Sequence, residues 1–528
     1  VIVIEAPGKI AAFRAAFPSD DCEVIATGGH FCHTANEGLD TDDPQVGPGW
    51  IEAERHASES VVETLQRVIG PAREIIIATD PDAEGDVIAR DVVATLQSLR
   101  LSPTTCITRM RPMGLSADML AQAARLRCLW DETHDRAAFA GDARRIVDKM
   151  IGLTAVEMGS GGMGRVSTRL LANIAADPLQ PYRASLMLPA ADGGRPFVAQ
   201  ARAGSRSIAE SYVRICAEHG PVLGESIDVS TASPMNYPEA VVAVASGLGV
   251  GASEASMLMQ KSYELGILSY PRSMNRVIEG QSYEFLTKMA RDASLPWVPS
   301  AASRHVAVQE RGHPAPAPIA ALSITKPLKV LAPPEAAAAV IGRRLVECGT
   351  HVEIVRPFAQ KPTSPLRDVV FSRPVTPLPW QVKAGEASSV TQLAPDLLLV
   401  ERMGEAAVGR PSTMVSHADK VGKRNQLLDY KLAPEISLRL KMLPQEWRDP
   451  ELCRAVDGLD SEIAAQSPEA LVDALLRMAG EKTYNIASAA VGDRPPFRPV
   501  MAGNAHDSTT KRPRGAVAAT PDNGLRDY

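Results

Sequence analysis

No CxxC pair occurs anywhere in the 528 residues; the seven cysteines (Cys22, Cys32, Cys106, Cys128, Cys216, Cys348, Cys453) are scattered. An odd count without framework spacing excludes a disulfide-stapled scaffold and argues against a zinc ribbon, leaving reduced thiols in a cytoplasm. Aromatic residues are scarce at 4%, so stacking platforms for single strands must be few. No apolar run reaches the roughly 18 residues of a membrane span. The opening VIVIEAPGKI lacks the basic segment of a secretory leader. It also starts on Val rather than Met, as expected of numbering that begins inside a longer product. A net charge of −6 excludes a protein that coats nucleic acid by bulk charge, yet permits a local basic groove. What remains is ordinary globular material, 45% hydrophobic and 22% charged, long enough for three or more domains.

One stretch organises the rest: Ile75–Asp86, IIIATDPDAEGD. Its β-branched run reads as a buried parallel strand ending at Ala78 or Thr79, with acids delivered at the carboxyl edge. Asp80 and Asp82 share a face if extended. Gly85 is expected to permit the turn into a helix over Val87–Leu99. Asp80, Asp82 and Glu84 repel one another unless a hard cation sits between them, and oxygen-only donors favour Mg²⁺ over zinc. A solvated loop with a helix N-cap near Asp82 is the plain alternative.

Around it, Val1–Ile4 reads as a strand with Glu5 at its end and Lys9 near the start of a helix, Ile10–Phe17. A second strand, Glu23–Thr27, ends in Gly28-Gly29-His30. Glu5, His30 and the acid cluster then line one sheet edge, where open α/β sheets place ligands. Downstream, an amphipathic helix covers DARRIVDKMIGL, Asp142–Leu153. GGMGRVSTRLL then brings Arg165 and Arg169 onto a helix start, a setting that suits phosphate. ILSYPRSMN, Ile267–Asn275, carries Tyr270 and Arg272. GRPST, Gly409–Thr413, offers Arg410 as a phosphate donor and Ser412 and Thr413 as helix caps.

In this order EAPGK, GGH, TDPDAEGD, DARRIVD, GRVST, YPR, GH (Gly312-His313) and GRPST resemble the motifs of type IA DNA topoisomerases. The resemblance runs from about Glu5 to Thr413. It implies a multidomain α/β protein with further α and β segments: an N-terminal Toprim doubly wound sheet within a toroidal four-domain ring. The implied division is Toprim 1–125; a helical DNA-binding domain 126–190 and 400–490; an arch 191–235 and 330–399; a tyrosine-bearing domain 236–329; and a flexible tail 491–528. It also implies a Mg²⁺-dependent, ATP-independent enzyme that cuts and reseals one strand through a 5′-phosphotyrosine and relaxes negative supercoils.

The same resemblance assigns roles. Tyr270 is the nucleophile, with Arg272 promoting phenolate character and meeting phosphorane charge. Glu5 or Lys9 gives a proton to the 3′ oxygen, and His313 touches phosphate. His30, Arg165, Arg169, Arg410, Ser412 and Thr413 hold DNA; Asp80, Asp82 and Glu84 hold the metal. The partner is single-stranded or underwound DNA, with no membrane, and the protein is expected to be a monomer at the cytoplasmic nucleoid without zinc ribbons. Two departures stand out: Ser273-Met274-Asn275 after YPR, and His313-Pro314-Ala315-Pro316-Ala317-Pro318 where the family has HEAIRP. Pro314 and Ala317 thus replace a Glu and an Arg. An Arg restored at 317 is expected to help only if its side chain faces the groove. A Toprim nuclease or primase-like enzyme, and a DNA-binding accessory protein with weakened turnover, remain as alternatives.

Overall fold

The computed structural model describes residues 1–19, 22–34, 55–57, 59–70, 72–99, 102, 104–227, 232–306, 313–381, 388–459 and 468–491. The tail expected over 491–528 lies outside the described residues beyond Val491.

The N-terminal sheet comprises β1 (Ile2–Ile4), β2 (Val24–Ala26), β5 (Glu74–Ile77), β6 (Cys106–Arg109) and β7 (Cys128–Leu129), in the order β2-β1-β5-β6-β7. A separate antiparallel pair, β3 (Cys32–Thr34) and β4 (Arg55–Ala57), lies between β2 and β5 in sequence. The first four strands of the main sheet run parallel and β7 closes the edge antiparallel. Ile2–Ile4, Ile75 and Ile77 are buried, as parallel strands covered on both faces require. Strand β5 stops at Ile77, one residue before the expected end. The helix after it spans Ala83–Ser98 and so starts four residues earlier than its apolar pattern indicated, because Asp82 caps it by accepting the Gly85 N–H. Gly85 therefore sits within the first helical turn rather than in a turn before it.

A second sheet, β10-β11-β12-β9-β8-β13, is assembled from two stretches of chain. Tyr182–Leu188 (β8), Phe197–Ala203 (β9) and Glu225–Ile227 (β10) come from the first. Val352–Val355 (β11), Phe371–Pro374 (β12) and Ser389–Gln392 (β13) come from the second. The Arg206–His219 helix packs on β8. The Pro333–Glu347 helix, grouped with the arch on sequence, instead packs on the helices Tyr237–Leu248 and Ala252–Glu264. The largest core is helical. It joins the long helix Glu132–Glu157 and the helix Arg165–Ala176 to Tyr237–Leu248, Pro395–Glu405 and Pro411–Lys423. A small antiparallel pair, β14 (Leu427–Leu428) and β15 (Lys431–Leu432), follows it. Among the described residues no single helix is long and apolar enough to cross a membrane.

Candidate active site

Strand β1 ends at Ile4, so Glu5 emerges at the carboxyl edge, and β5 delivers Asp80 two residues after Ala78 along the same edge. Buried Lys9, in the short turn Pro7–Lys9, closes an ion pair with Asp80 and lies over the Tyr263 ring, 5.0 Å from its centroid. The backbone of the acid loop is pinned from beneath by Arg109, only 1% exposed. Its guanidinium donates to the carbonyls of Thr79 (2.9 Å), Asp80 (3.1 Å) and Met110 (2.7 Å) and to Asp86 Oδ1 (3.0 Å). This strut was invisible in sequence, since an Arg at a strand end has no pattern of its own.

Gly85 completes the loop by close approach. A Cβ there would lie 2.0 Å from the Asp80 carbonyl oxygen, which the loop cannot yield without moving Asp80 itself. Gly85→Ala is therefore expected to cost about 3 kcal/mol, the upper end of overpacking. A thermal or urea unfolding midpoint matching the parent's would contradict that.

The chain from Leu268 to Asn275 brings Tyr270 against this loop. The phenol donates to Asp82 Oδ2 at 2.8 Å, across 188 residues of sequence. Its ring lies 4.3 Å from His313 and edge-on to Tyr263 at 5.6 Å. His313 Nε2 donates to the Pro81 carbonyl at 3.1 Å, while Nδ1 is buried without a hydrogen-bond partner. Burial keeps this imidazole neutral, outweighing Asp82 and Asp80. Arg272 is half-buried beside Tyr270, Tyr237, Asp80 and Asp82, and no ion pair within the described residues consumes it.

The expected phenolate character of Tyr270 does not hold here. Burial, then the charges of Asp82 and Asp80, push the phenol well above its ordinary value, and Arg272 offsets only part of this. The hydroxyl is a donor to a carboxylate, and a donor keeps its proton.

Glu5 is the opposite kind of acid from its neighbours. Burial first, then Asp80 and Asp82, raise it to about 7 against the pull of Lys9 and Arg272. Its Oε2 is buried with no partner. Asp82 is half-buried, but the Gly85 N–H, the Tyr270 hydroxyl and Arg410 overcome its desolvation and hold its carboxyl low. Glu84 falls to about 2 despite burial, because His30, Arg410 and Arg144 converge on it. His30 Nε2 lies 2.9 Å from Glu84 Oε2, Arg144 Nη1 lies 3.4 Å from Oε1, and Arg410 pairs with the same oxygen.

The three acids proposed for metal are thus each engaged by protein donors. Oxygen donors suit a hard cation in kind. In position they do not converge: among the described residues no three His, Cys, Asp or Glu side chains form a group able to hold a metal ion.

Beside Glu84 opens a cavity of about 400 Å³ lined by His30, Arg144, Arg145, Arg165, Arg410 and His417, among others. Most of these cations are already committed. Arg165, 2% exposed, pairs with Asp148 at 2.7 Å and Asp457 at 2.9 Å. Arg169 donates to the Arg448 carbonyl at 2.7 Å. Ser412 and Thr413 do not cap the Pro411–Lys423 helix. Arg410 occupies the N-cap position, and Thr413 Oγ1 donates back to its carbonyl at 3.3 Å. Pro411 at the first helical position moves the cap two residues ahead of where the hydroxyls pointed. Arg144 was legible only as part of the DARR run and not as a site residue. Its guanidinium is buried, and besides Glu84 it donates to the carbonyls of Val456 and Leu459.

Ala317 does not face the groove. It is 1% exposed within the helical core, and its N–H and carbonyl bond to Ser269 at 2.9 Å and 2.8 Å. Ala317→Arg would therefore bury an unpaired cation, at about 3–5 kcal/mol. We expect a lowered urea midpoint; a variant as stable as the parent would refute this placement.

A Toprim domain signature matches residues 1–110. The plasmid DNA topoisomerase I of Xylella fastidiosa is 25% identical over 310 residues, 53% of this chain and 45% of that protein. Reverse gyrase 2 of Aeropyrum pernix is 28% identical over 230 residues, 41% of this chain and 18% of that protein. Full-length topoisomerase I from Thermotoga maritima shares the fold: TM-score 0.58, 17% identity, 90% of this chain and 89% of that one. The chain is a distant homologue of the type IA topoisomerases. Its matches span less than half the length of these curated relatives. The Toprim acids of this homologue and its YPR tyrosine, far apart in sequence, meet in one site.

Proposed function

We propose that the chain cuts and reseals one strand of DNA through Tyr270, as an ATP-independent type IA topoisomerase that relaxes negative supercoils. The observation that carries this reading is the hydrogen bond from Tyr270 to Asp82, which sets the one candidate nucleophile on the acid loop. A neutral phenol needs a base as it attacks phosphorus, and Asp82 is positioned to take that proton. Arg272, half-buried and without an ion pair among the described residues, meets the charge that develops on the phosphoryl oxygens. Glu5, with a pKa of about 7 and a free oxygen, supplies a proton to the departing 3′ oxygen. Lys9, the other candidate donor, is held by Asp80 and supports that acid instead. His313 braces the tyrosine ring and the Pro81 carbonyl. The product is a 5′-phosphotyrosine, whose retained bond energy lets the strand be rejoined without ATP.

The cofactor we propose is Mg²⁺; Asp80, Asp82 and Glu84 do not converge on a metal site among the described residues and would have to leave Lys9, Tyr270 and Arg410 to hold it, and it would then offset phosphate charge. DNA, single-stranded or underwound, would follow the cavity by His30, Arg144 and Arg410 towards Tyr270. The division into Toprim, helical, arch and tyrosine-bearing domains, a monomeric state and a place at the cytoplasmic nucleoid belong to the same proposal. Plasmid relaxation with and without Mg²⁺, beside a Tyr270→Phe control, tests it. Relaxation by the Phe protein would remove the reading, whereas DNA binding without any trapped adduct would favour an accessory protein.

A further inference from the structure

On the lateral edge strand of the Toprim sheet, three side chains assemble a nucleophile, a base and an orienting acid. Cys128, on the edge strand β7, is the one exposed cysteine of the seven; Cys22 and Cys106 are half-buried and the other four are buried. Its Sγ lies 3.4 Å from His134 Nε2, and His134 Nδ1 lies 2.9 Å from Asp131 Oδ1. Asp131 is itself fixed, as the N-cap of the Glu132–Glu157 helix, accepting the Thr133 N–H at 2.9 Å. The imidazole is 9% exposed and stacked on the Trp130 indole, with centroids 5.0 Å apart and planes at 26°. The ring is thereby held with Nε2 towards sulfur and Nδ1 towards the carboxylate.

This is the arrangement of an activated thiol: a cysteine within reach of a base that a third group orients. The Asp131 backbone N–H also points at Nδ1, at 3.2 Å, so the neutral ring can carry its proton on either nitrogen. The imidazolium alone satisfies the Asp131 carboxylate and a Cys128 thiolate together. Asp131, Glu132 and Asp135 supply negative charge from the helix. Arg127 is spent on Glu74, and Arg109, the register partner of Cys128, turns its guanidinium away to Asp86. Cys128 is an exposed residue, flanked in sequence by Leu126 and Leu129, 74% and 66% exposed, and its Sγ also donates weakly to the Arg109 carbonyl at 3.9 Å. Such a site suits a compact electrophile that needs no binding pocket.

We propose that Cys128 is a thiol–disulfide exchange site for low-molecular-weight disulfides, with His134 as its base and Asp131 as a positioning residue. The thiol proton passes to His134 Nε2, and the thiolate attacks one sulfur of R–S–S–R. A Cys128–S–S–R bond forms as the R–S–S–R bond breaks, and the departing RS⁻ takes the proton back from the imidazolium. The disulfide is the oxidant, so the step balances without another co-reactant. Nothing in it depends on DNA chemistry at the acid loop.

The test is to treat the full chain at pH 7 with oxidised glutathione and follow each cysteine by peptide mass spectrometry. Cys128 should form the mixed disulfide first, and His134→Phe, which keeps a ring against Trp130, should slow it by about tenfold or more. Equal Cys128 rates in parent and His134→Phe would show that exposure alone drives the reaction and would overturn the proposal. Should that variant not fold, the rate of Cys128 alkylation in the parent at pH 7, set against that of reduced glutathione, decides. Faster alkylation of Cys128 supports activation, and an equal or slower rate overturns it.

Discussion

Tyr270→Phe is expected to reduce strand cleavage by at least about 10⁴-fold while single-stranded DNA binding changes by no more than a few-fold. The hydroxyl is the one group on that ring able to form a bond to phosphorus. Its removal leaves the ring's contacts with Tyr263 and His313 in place. The structural cost is small: Asp82 loses one hydrogen bond, worth about 1 kcal/mol, and its carboxyl moves back up. On the proposed reading binding would survive, because it would rest on cations elsewhere, at Arg144, Arg410 and their neighbours along the cavity. Trapping with a labelled oligonucleotide under denaturing conditions reads the adduct directly. An adduct of parental yield on the Phe protein would mean that another residue is the nucleophile.

Glu5→Gln should slow single-turnover cleavage by about 10²–10⁴-fold, the span of a lost general acid. The pH dependence separates this from mere disturbance. Since burial beside Asp80 and Asp82 raises Glu5 to about 7, the parent's cleavage rate should fall about tenfold per pH unit above that point. The Gln variant should show a flat line there. Stability moves in a related way. A carboxyl whose folded pKa lies above the unfolded value of 4.5 favours the folded state less as pH rises from about 4.5 to about 7, and its effect is constant beyond. Glu5→Gln should remove that slope. A variant whose cleavage retains the parental pH profile would assign the proton to another group.

The sheet was legible from β-branched runs at Val1–Ile4 and Ile75–Ile77, because parallel strands buried on both faces carry near-continuous apolar sequence. Ordered short motifs pointed to Tyr270 and His313 before their contact with the acid loop was visible. What sequence could not convey was partnership. Asp80, Asp82 and Glu84 read as mutually repelling acids, yet each is answered by a cation or donor from a different element: Lys9, Tyr270, and Arg410 with Arg144. Arg165 read as a free phosphate donor because Asp148 and Asp457, 17 residues upstream and 292 downstream, carry no local signal. Ala317 read as a lost contact because the direction of a side chain in a proline-rich coil follows from tertiary packing alone.

Glu84 occupies the place among Arg410, Arg144 and His30 that an anionic oxygen of a ligand would otherwise fill. For a nucleic acid at this site, association would be an exchange of one anion for another rather than a neutralisation of free cations. Few small ions would be released, because these arginines carry an internal counterion. The logarithm of affinity should therefore fall with the logarithm of salt more gently than the slope of about −0.7 per phosphate contact on single strands. Glu84→Gln would restore the mobile counterions and steepen that line, while tightening binding at low salt.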